Sequence, residues 1–268
     1  VILFYRGGDR RFESGRPRHL NFNMFYIDNK NIAIILSEKS DGNMLFKNNN
    51  QLLNEKIKLN RQKFFQENNL NSSKLVNIAG IHSNHIRIIE EQDLGKGAME
   101  PETRIKDTDG LITNIKNSYL MITGADCFSV FFYDEQNQVV GVAHCGWQGI
   151  IKNIIPMMIN KLKENFNSRL NELKIWIGPG IKDCHFEVKK DVVESFKEKY
   201  ETVIIKKDDK YYIDLPVVIK SQLIKSGISP ENITKHLDCT YCQKEKWFSY
   251  RRDKPEYPEA SAFIIGLK

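Results

Sequence analysis

The sequence predicts an α+β fold, a single domain built around a large mixed β-sheet. Short apolar runs such as residues 128–133 and 139–143 have the length of buried strands. Between them lie longer polar segments with apolar residues at helical spacing, such as 52–68 and 151–166. The two kinds of segment do not alternate strictly, and this irregular order favours an α+β fold over a purely parallel α/β fold.

The elements follow from these patterns in chain order. The predicted strands are 24–36 (a pair joined by a turn at 28–30), 74–82, one that begins at 86–90, 118–123, 128–133, 139–144, 173–177, 211–213 and 261–265. The predicted helices are 52–68, 151–166, 189–199 and 215–226, and Gly227 is placed to end the last. Residues 91–109 are rich in glycine and charge, which is typical of a surface loop.

Composition excludes several classes of protein. Apolar residues make up 41% and charged residues 28% of the 268, as in ordinary soluble globular proteins. The apolar runs fall far short of the roughly 20 residues that a membrane span needs. No segment near the start has the basic, apolar and small-residue order of a signal peptide. We therefore expect a cytoplasmic protein without a membrane partner.

The positive charge is concentrated at the start of the chain. The net charge is +6, yet five of the eleven arginines lie at or before Arg18, and the chain begins with Val1. We interpret residues 1–23 as a vector-derived or disordered leader and residues 24–268 as the single domain; the alternative is a native basic arm for an acidic partner. Residues 1–23 contain five positive and two negative charges, so their removal leaves +3. We do not expect nucleic-acid binding.

Three side chains form the candidate site, namely His82, Cys127 and His144. Each lies where a predicted strand ends, with a glycine within three residues. Two imidazoles and a thiolate suit Zn²⁺, and three protein ligands leave a fourth position open for substrate or water. The separations match no compact zinc-finger spacing. The alternative is a packed core thiol beside two ordinary polar residues at strand ends.

The other cysteines are more weakly indicated as ligands. An odd set of five argues against a disulfide framework. Cys239 and Cys242 have metal-ligand spacing, but no second pair accompanies them in the sequence, so we interpret them as packing residues. Cys145 follows His144 in a strand and is expected to point into the core. For Cys184 we also favour packing or surface exposure.

The segment 248–253 carries two adjacent arginines between aromatic and acidic residues. A guanidinium in this position is suited to holding an anion such as phosphate through paired hydrogen bonds. The alternative is a structural arginine paired with Asp253.

Nine segments taken together resemble one known family. The resemblance covers most of residues 60–267, and its motifs occur in the family's order. They lie at residues 80–84, 109–113, 124–127, 143–149, 177–181, 186–188, 214–215, 239–242 and 248–252. The sequence is similar to the YfiH or laccase-domain family, also called multicopper polyphenol oxidase-like or peptidoglycan editing factor proteins.

The resemblance implies a four-layer αββα fold, a mixed β-sandwich flanked by helices. It also implies Zn²⁺ at the positions of His82, Cys127 and His144. The implied activity is phosphorolysis of purine nucleosides (adenosine, inosine, guanosine and methylthioadenosine), accompanied by adenosine deamination. The expected partners are purine nucleosides and phosphate, and we expect a monomer.

The leading hypothesis is therefore a zinc-dependent purine nucleoside phosphorylase with adenosine deaminase activity. Arg251 would hold phosphate, and Asp126, beside a ligand, would be an acid or base. A second hypothesis is a metal-free Cys–His hydrolase or amidase, with Cys127 as nucleophile and His144 as its base. A third is a non-catalytic partner protein in cell-wall or division processes. Six histidines without a His-X-His pair do not suit a four-copper oxidase.

Overall fold

The computed structural model describes residues 27–28, 30–47 and 50–268. The strands are β1 (Ile27–Asp28), β2 (Ile32–Leu36), β3 (Leu75–Asn77), β4 (Ile86–Ile88), β5 (Gly110–Thr113), β6 (Ser118–Gly124), β7 (Phe128–Asp134), β8 (Val139–Cys145), β9 (Lys174–Ile177), β10 (Glu187–Val188), β11 (Ile204–Lys207), β12 (Lys210–Ile213), β13 (Ile233–Lys235) and β14 (Ser261–Leu267). The helices are α1 (Gln51–Glu67), α2 (Trp147–Ile151), α3 (Ile154–Phe166), α4 (Lys190–Tyr200), α5 (Leu215–Lys225) and α6 (Tyr250–Asp253). The expected leader, residues 1–23, lies outside the described residues.

The strands form two large mixed sheets and one small sheet. The five-stranded sheet has the order β1-β2-β14-β6-β3, and the six-stranded sheet has the order β13-β9-β7-β8-β5-β4. Strands β10, β12 and β11 form a three-stranded antiparallel sheet. Both large sheets combine parallel and antiparallel pairs, as in the parallel pairing of β3 with β6 and the antiparallel pairing of β14 with β6.

The two large sheets pack face to face. One buried cluster joins Leu120 and Phe263 of the five-stranded sheet to Phe131 and Val142 of the six-stranded sheet. The alternating side chains of each strand point to opposite faces, so each sheet presents a second apolar face on its outer side. Helix α1 covers one outer face through Phe64, and helices α3 and α5 cover the other. The result is the four-layer αββα arrangement that the resemblance predicted.

The pattern-based prediction of one large mixed sheet was wrong, because the strands form two large sheets. Strands β6 and β7 are consecutive and both apolar, yet they belong to different sheets, and residues 125–127 connect the two. A hydrophobic run shows that a strand is buried but does not show which sheet it joins. The short strands β5, β10, β11 and β13 were not predicted.

The predicted strand 74–82 is shorter than its apolar pattern suggests. Pairing with β6 ends at Asn77, and the chain then leaves the sheet. The backbone N–H groups of Ile81 and Ser83 donate to the carboxylate of Asp109 instead of to a neighbouring strand. This loop conformation presents His82 at the end of the sheet.

The predicted helix 151–166 corresponds to α3, which begins three residues later at Ile154, whereas the short helix α2 before it was not predicted. Asn153 lies between α2 and α3 with φ 66°, in the left-handed region, and this conformation interrupts the helical path. Helix α2 begins directly after Gly146, which places its first turn beside the candidate site. Within the described residues, no helix is both long and apolar enough to cross a membrane.

Candidate metal centre and its surroundings

The structure brings His82, Cys127 and His144 together from three separate segments. His82 follows β3 in a loop, Cys127 lies in the turn between β6 and β7, and His144 lies near the end of β8. Their donor atoms all lie within 4.8 Å of one another. The two imidazole rings are 4.9 Å apart between centroids and tilted by 49°. Segments that are distant in the sequence thus present three ligand-type side chains to one point.

The backbone at this point is held in conformations that few residues adopt. His82 has φ 57° and Asp126, which precedes Cys127, has φ 86°. Non-glycine residues in the left-handed region are uncommon, and they persist only where surrounding contacts impose them. For His82 the imposing contact is its own N–H, which donates to Oδ1 of Asp109 at 3.0 Å.

Two glycines leave the space that the three side chains occupy. A Cβ on Gly146 would meet Nδ1 of His82 at 2.5 Å and Sγ of Cys127 at 3.0 Å. A Cβ on Gly80 would lie 3.3 Å from Nδ1 of His144. Any larger residue at position 146 would therefore force His82 away from Cys127.

Asp109 is the residue of this site that the sequence reasoning missed. It is fully buried, and its Oδ1 lies 2.9 Å from Nδ1 of His144. Its Oδ2 accepts from the N–H and the hydroxyl of Ser83, at 2.6 and 2.8 Å. Asp109 occurs in a motif of the family resemblance, but its separation from His144 by 35 residues gave no local signal.

The charges of the cluster depend on one another. Burial alone would raise the pKa of the Cys127 thiol, but His144 and His82 lower it to about 6 through charge and hydrogen bonding. Burial alone would lower the pKa of His144, but the Cys127 thiolate and Asp109 raise it to about 10. Hydrogen bonds from His144 and Ser83 offset the burial of Asp109 and hold the pKa of its carboxyl well below the usual range.

This donor set fits a zinc ion. Two imidazole nitrogens and one thiolate sulfur are zinc ligands, and three of them leave an open position. A carboxylate that accepts the second ring N–H of a ligating histidine fixes its tautomer and orientation, and Asp109 is placed to do this for His144. The side chain of His82 is accessible to solvent, whereas His144 is buried.

Asp126, which precedes Cys127 in the chain, contacts Arg251. Oδ2 of Asp126 accepts from the backbone N–H of Arg251 at 2.7 Å, and its Oδ1 accepts from the hydroxyl of Thr240 at 2.7 Å. The guanidinium of Arg251 donates to the carbonyl of Glu187 and lies 5.5 Å from the centroid of the Phe186 ring. Asp126 thus links the turn that carries Cys127 to the start of α6.

Arg252 has a different environment from its neighbour. Its guanidinium donates to the carbonyls of Thr240 and Trp247 and forms a two-point pair with Asp253. These contacts occupy its donors, so Arg252 is a structural residue. Of the two arginines, Arg251 remains our candidate for binding phosphate.

A cavity of about 930 Å³ opens beside the segment that leads to His82. Its wall includes Ile81 together with Lys47, Arg104 and Lys106. This volume falls within the range of small-molecule sites in proteins. The wall also carries acidic side chains, among them Glu55, Glu100 and Asp107, so its charge is mixed.

The family is established by comparison with known sequences. Residues 40–265 match the family described as multi-copper polyphenol oxidoreductase laccase, and the chain belongs to this family. It is 32% identical over 191 residues to the purine nucleoside phosphorylase YlmD of Bacillus subtilis (strain 168), with 70% of this chain and 68% of that protein covered. It is 27% identical over 177 residues to the adenosine deaminase RL5 of an unknown prokaryotic organism, with 64% of this chain and 67% of that protein covered.

The fold agrees with a solved structure of the same kind. The crystal structure of the Bacillus licheniformis hypothetical protein YfiH superposes with a TM-score of 0.83 at 26% identity. The match covers 88% of this chain and 93% of that one. The predicted family and the predicted fold are therefore confirmed, whereas the roles of His82, Cys127, His144, Arg251 and Asp126 stay predictions.

Proposed function

We propose that the protein is a zinc-dependent purine nucleoside phosphorylase that also deaminates adenosine. The observation that carries the proposal is the convergence of His82, Cys127 and His144 within 4.8 Å, with Asp109 bonded to His144. The names of its relatives supply the substrate class, because one is a purine nucleoside phosphorylase and another an adenosine deaminase.

In this proposal His82, Cys127 and His144 hold the ion. When bound, zinc supplies a positive charge that polarises a substrate group and lowers the pKa of water. Asp109 keeps the Nδ1 proton on His144, so that its Nε2 lone pair is available as a ligand. The His144 and His82 contacts favour the thiolate form of Cys127, which is the form that binds metal.

The phosphate would bind at Arg251. This side chain is half-buried, and its N–H groups beyond the one used by Glu187 remain to serve an anion. Its backbone is fixed by Asp126, so a phosphate held there has a defined position relative to Cys127. In phosphorolysis a phosphate oxygen forms a bond to the sugar C1′ as the bond to the purine nitrogen breaks, and the departing purine takes up a proton.

Asp126 is better placed to position residues than to exchange protons. Both of its oxygens accept hydrogen bonds from protein groups, from Thr240 and from the N–H of Arg251. We keep in the proposal that Asp126 acts as an acid or base in deamination. This role is tested separately from the way Asp126 holds the backbone of Arg251. If an Asp126→Asn variant keeps phosphorolysis but loses deamination, Asp126 is the group that transfers the proton in deamination.

The proposal is tested by measuring base release and metal content together. Purified protein is incubated with adenosine or inosine, with and without inorganic phosphate, and free base and ammonia are quantified. We expect phosphate-dependent base release, and loss of both activities and of the bound zinc in His82→Ala. His85→Ala is the matched control, because His85 is a nearby exposed histidine bonded to the Asp107 carbonyl instead. Full turnover in His82→Ala would overturn the proposal.

A specific observation favours a second candidate, a metal-free Cys–His hydrolase. Cys127, His144 and Asp109 form a nucleophile, base and orienting carboxylate, and the pKa of Cys127 is lowered to about 6. Activity that survives a chelator and disappears on alkylation of Cys127 would support this candidate. Activity that disappears with the chelator and returns with zinc would exclude it.

The geometry does not support a four-copper oxidase. Within the described chain, His82 and His144 share one cluster, His185 lies in another, and neither cluster contains more than two histidines. The family description therefore names an activity that this arrangement of side chains does not favour.

A further inference from the structure

A second cluster of ligand-type side chains lies apart from the first cluster, which is formed by His82, Cys127 and His144. The second cluster consists of Cys184, His185, Cys239 and Cys242, whose donor atoms all lie within 4.8 Å of one another. Cys184 and His185 belong to the loop that follows β9, and the other two belong to the segment before α6. The sequence reasoning treated Cys239 and Cys242 as a pair without partners, and the structure supplies the partners.

The distances in this cluster are those of a tetrahedral zinc site. With Zn–S near 2.3 Å and Zn–N near 2.0 Å, the edges of such a tetrahedron are about 3.8 Å between sulfurs and about 3.5 Å between sulfur and nitrogen. Sγ of Cys184 lies 3.8 Å from Sγ of Cys242. Nδ1 of His185 lies 3.3 Å from each of these two sulfurs. The two sulfurs are much too far apart for a disulfide bond.

The surroundings of the cluster orient its ligands. The backbone N–H of Lys182 points at Sγ of Cys239 at 3.4 Å, a contact that favours the thiolate over the thiol. The imidazole of His185 stacks on the ring of Tyr241 with 3.9 Å between centroids and 14° between planes. This stacking holds Nδ1 toward the sulfurs of Cys184 and Cys242.

We propose that Cys184, His185, Cys239 and Cys242 bind a structural zinc ion. Three thiolates and one imidazole fill a tetrahedral coordination shell and leave no open position, which is the arrangement of structural rather than catalytic zinc. The Cys239-X-X-Cys242 spacing is the kind found in such sites. The ion would join the loop after β9 to the segment before α6, two parts of the chain that are far apart in the sequence.

This zinc ion would also support the segment that reaches the first cluster. Thr240, between the two cysteines, donates to Asp126, the residue before Cys127. Asp126 in turn accepts from the N–H of Arg251. The proposed ion would thus brace the position of Arg251 without contacting a substrate. The proposal stands independently of the function proposed above.

The test is a count of zinc in variants of the full chain, purified with zinc and dialysed against a weak chelator. We expect two zinc ions per wild-type chain, one in Cys242→Ser, and one in Cys127→Ser. Cys145→Ala is the matched control and keeps two, because Cys145 is a buried cysteine outside both clusters.

The melting temperature gives a second readout. Cys242 is exposed, so its replacement by serine leaves the apolar core intact. We therefore expect a lower melting temperature for Cys242→Ser than for the wild type, because the variant loses the ion. Lys244→Ser, a change at an exposed residue of the same segment, should leave the melting temperature unaltered.

X-ray absorption on the Cys127→Ser protein keeps the proposal testable if Cys242→Ser fails to fold. The remaining zinc should show three sulfur neighbours at about 2.3 Å and one nitrogen at about 2.0 Å. A single zinc in the wild type that disappears in Cys127→Ser would overturn the second site and leave the first intact. A Cys184–Cys242 disulfide in freshly purified protein, found by peptide mass spectrometry, would overturn it as well.

Discussion

Nδ1 of His144 lies 2.9 Å from Oδ1 of Asp109, and this contact defines the chemistry of the other ring nitrogen. The pKa of the Asp109 carboxyl is held well below its usual range, so the group is ionised and can only accept a hydrogen bond. The Nδ1–H of His144 must therefore donate. In the neutral ring, Nε2 then carries the free lone pair, which can bind a metal ion or accept the proton of a thiol.

Replacing the carboxylate while keeping its shape should weaken metal binding. The amide of Asp109→Asn carries no negative charge, and it has one acceptor oxygen where the carboxylate has two. His144 would therefore lose the partner that orients its ring. We expect zinc affinity at the first cluster to fall by about 10- to 100-fold, with a similar fall in turnover. Competition with a chromophoric chelator measures the affinity. Asp208→Asn, the same change on the exposed β11–β12 hairpin, should leave it unaltered; an equal loss there would contradict the assignment.

Filling the space at position 146 should separate the ligands without unfolding the chain. In Gly146→Ala the new Cβ would meet His82 at 2.5 Å, and His82 is the solvent-accessible ligand that can move. We expect loss of zinc from the first cluster and loss of activity. The circular dichroism spectrum should stay that of the wild type. Retention of zinc and activity would show that His82 is not a ligand.

Metal-free protein should contain one unusually reactive cysteine. Because the pKa of Cys127 is lowered to about 6, its thiolate predominates above that pH, and its alkylation rate should reach half its maximum near pH 6. Replacing His144 by alanine removes the largest lowering influence while burial remains, so the midpoint should move upward.

Peptide mapping after iodoacetamide treatment measures this rate site by site. Cys145 is an internal control, because burial raises its pKa and it should stay unmodified near neutral pH. Added zinc should protect Cys127. A midpoint above pH 8 in the metal-free wild type would contradict the arrangement of charges described for this cluster.

Alanine substitutions of the two adjacent arginines should affect different properties, the KM for phosphate at Arg251 and the stability at Arg252. Arg251→Ala should raise the KM for phosphate and leave the melting temperature close to that of the wild type. Arg252→Ala should lower the free energy of unfolding by about 3 kcal/mol, because it leaves the carbonyls of Thr240 and Trp247 without their donor. Steady-state kinetics at varied phosphate and denaturant titration separate the two effects. An unchanged KM in Arg251→Ala would remove this residue from the phosphate site.

Local pattern was sufficient for the strongest elements of the fold. The apolar run of β8 and the periodic α1 and α5 were predicted close to their observed ends, because burial of one face imposes a period on the sequence. The same pattern placed His82, Cys127 and His144 at strand ends. It missed α2, the short helix that Asn153, with its left-handed backbone, separates from the predicted helix α3.

The sequence by itself determined which residues are buried, which segments are strands or helices, and which side chains have metal-binding chemistry. Only the tertiary structure decided which of these side chains meet. Asp109 reaches His144 across 35 residues, and Cys184 reaches Cys242 across a still longer stretch of chain. Periodicity is a property of neighbours in the chain, whereas a site is made where two packed sheets and their loops bring distant segments to one point.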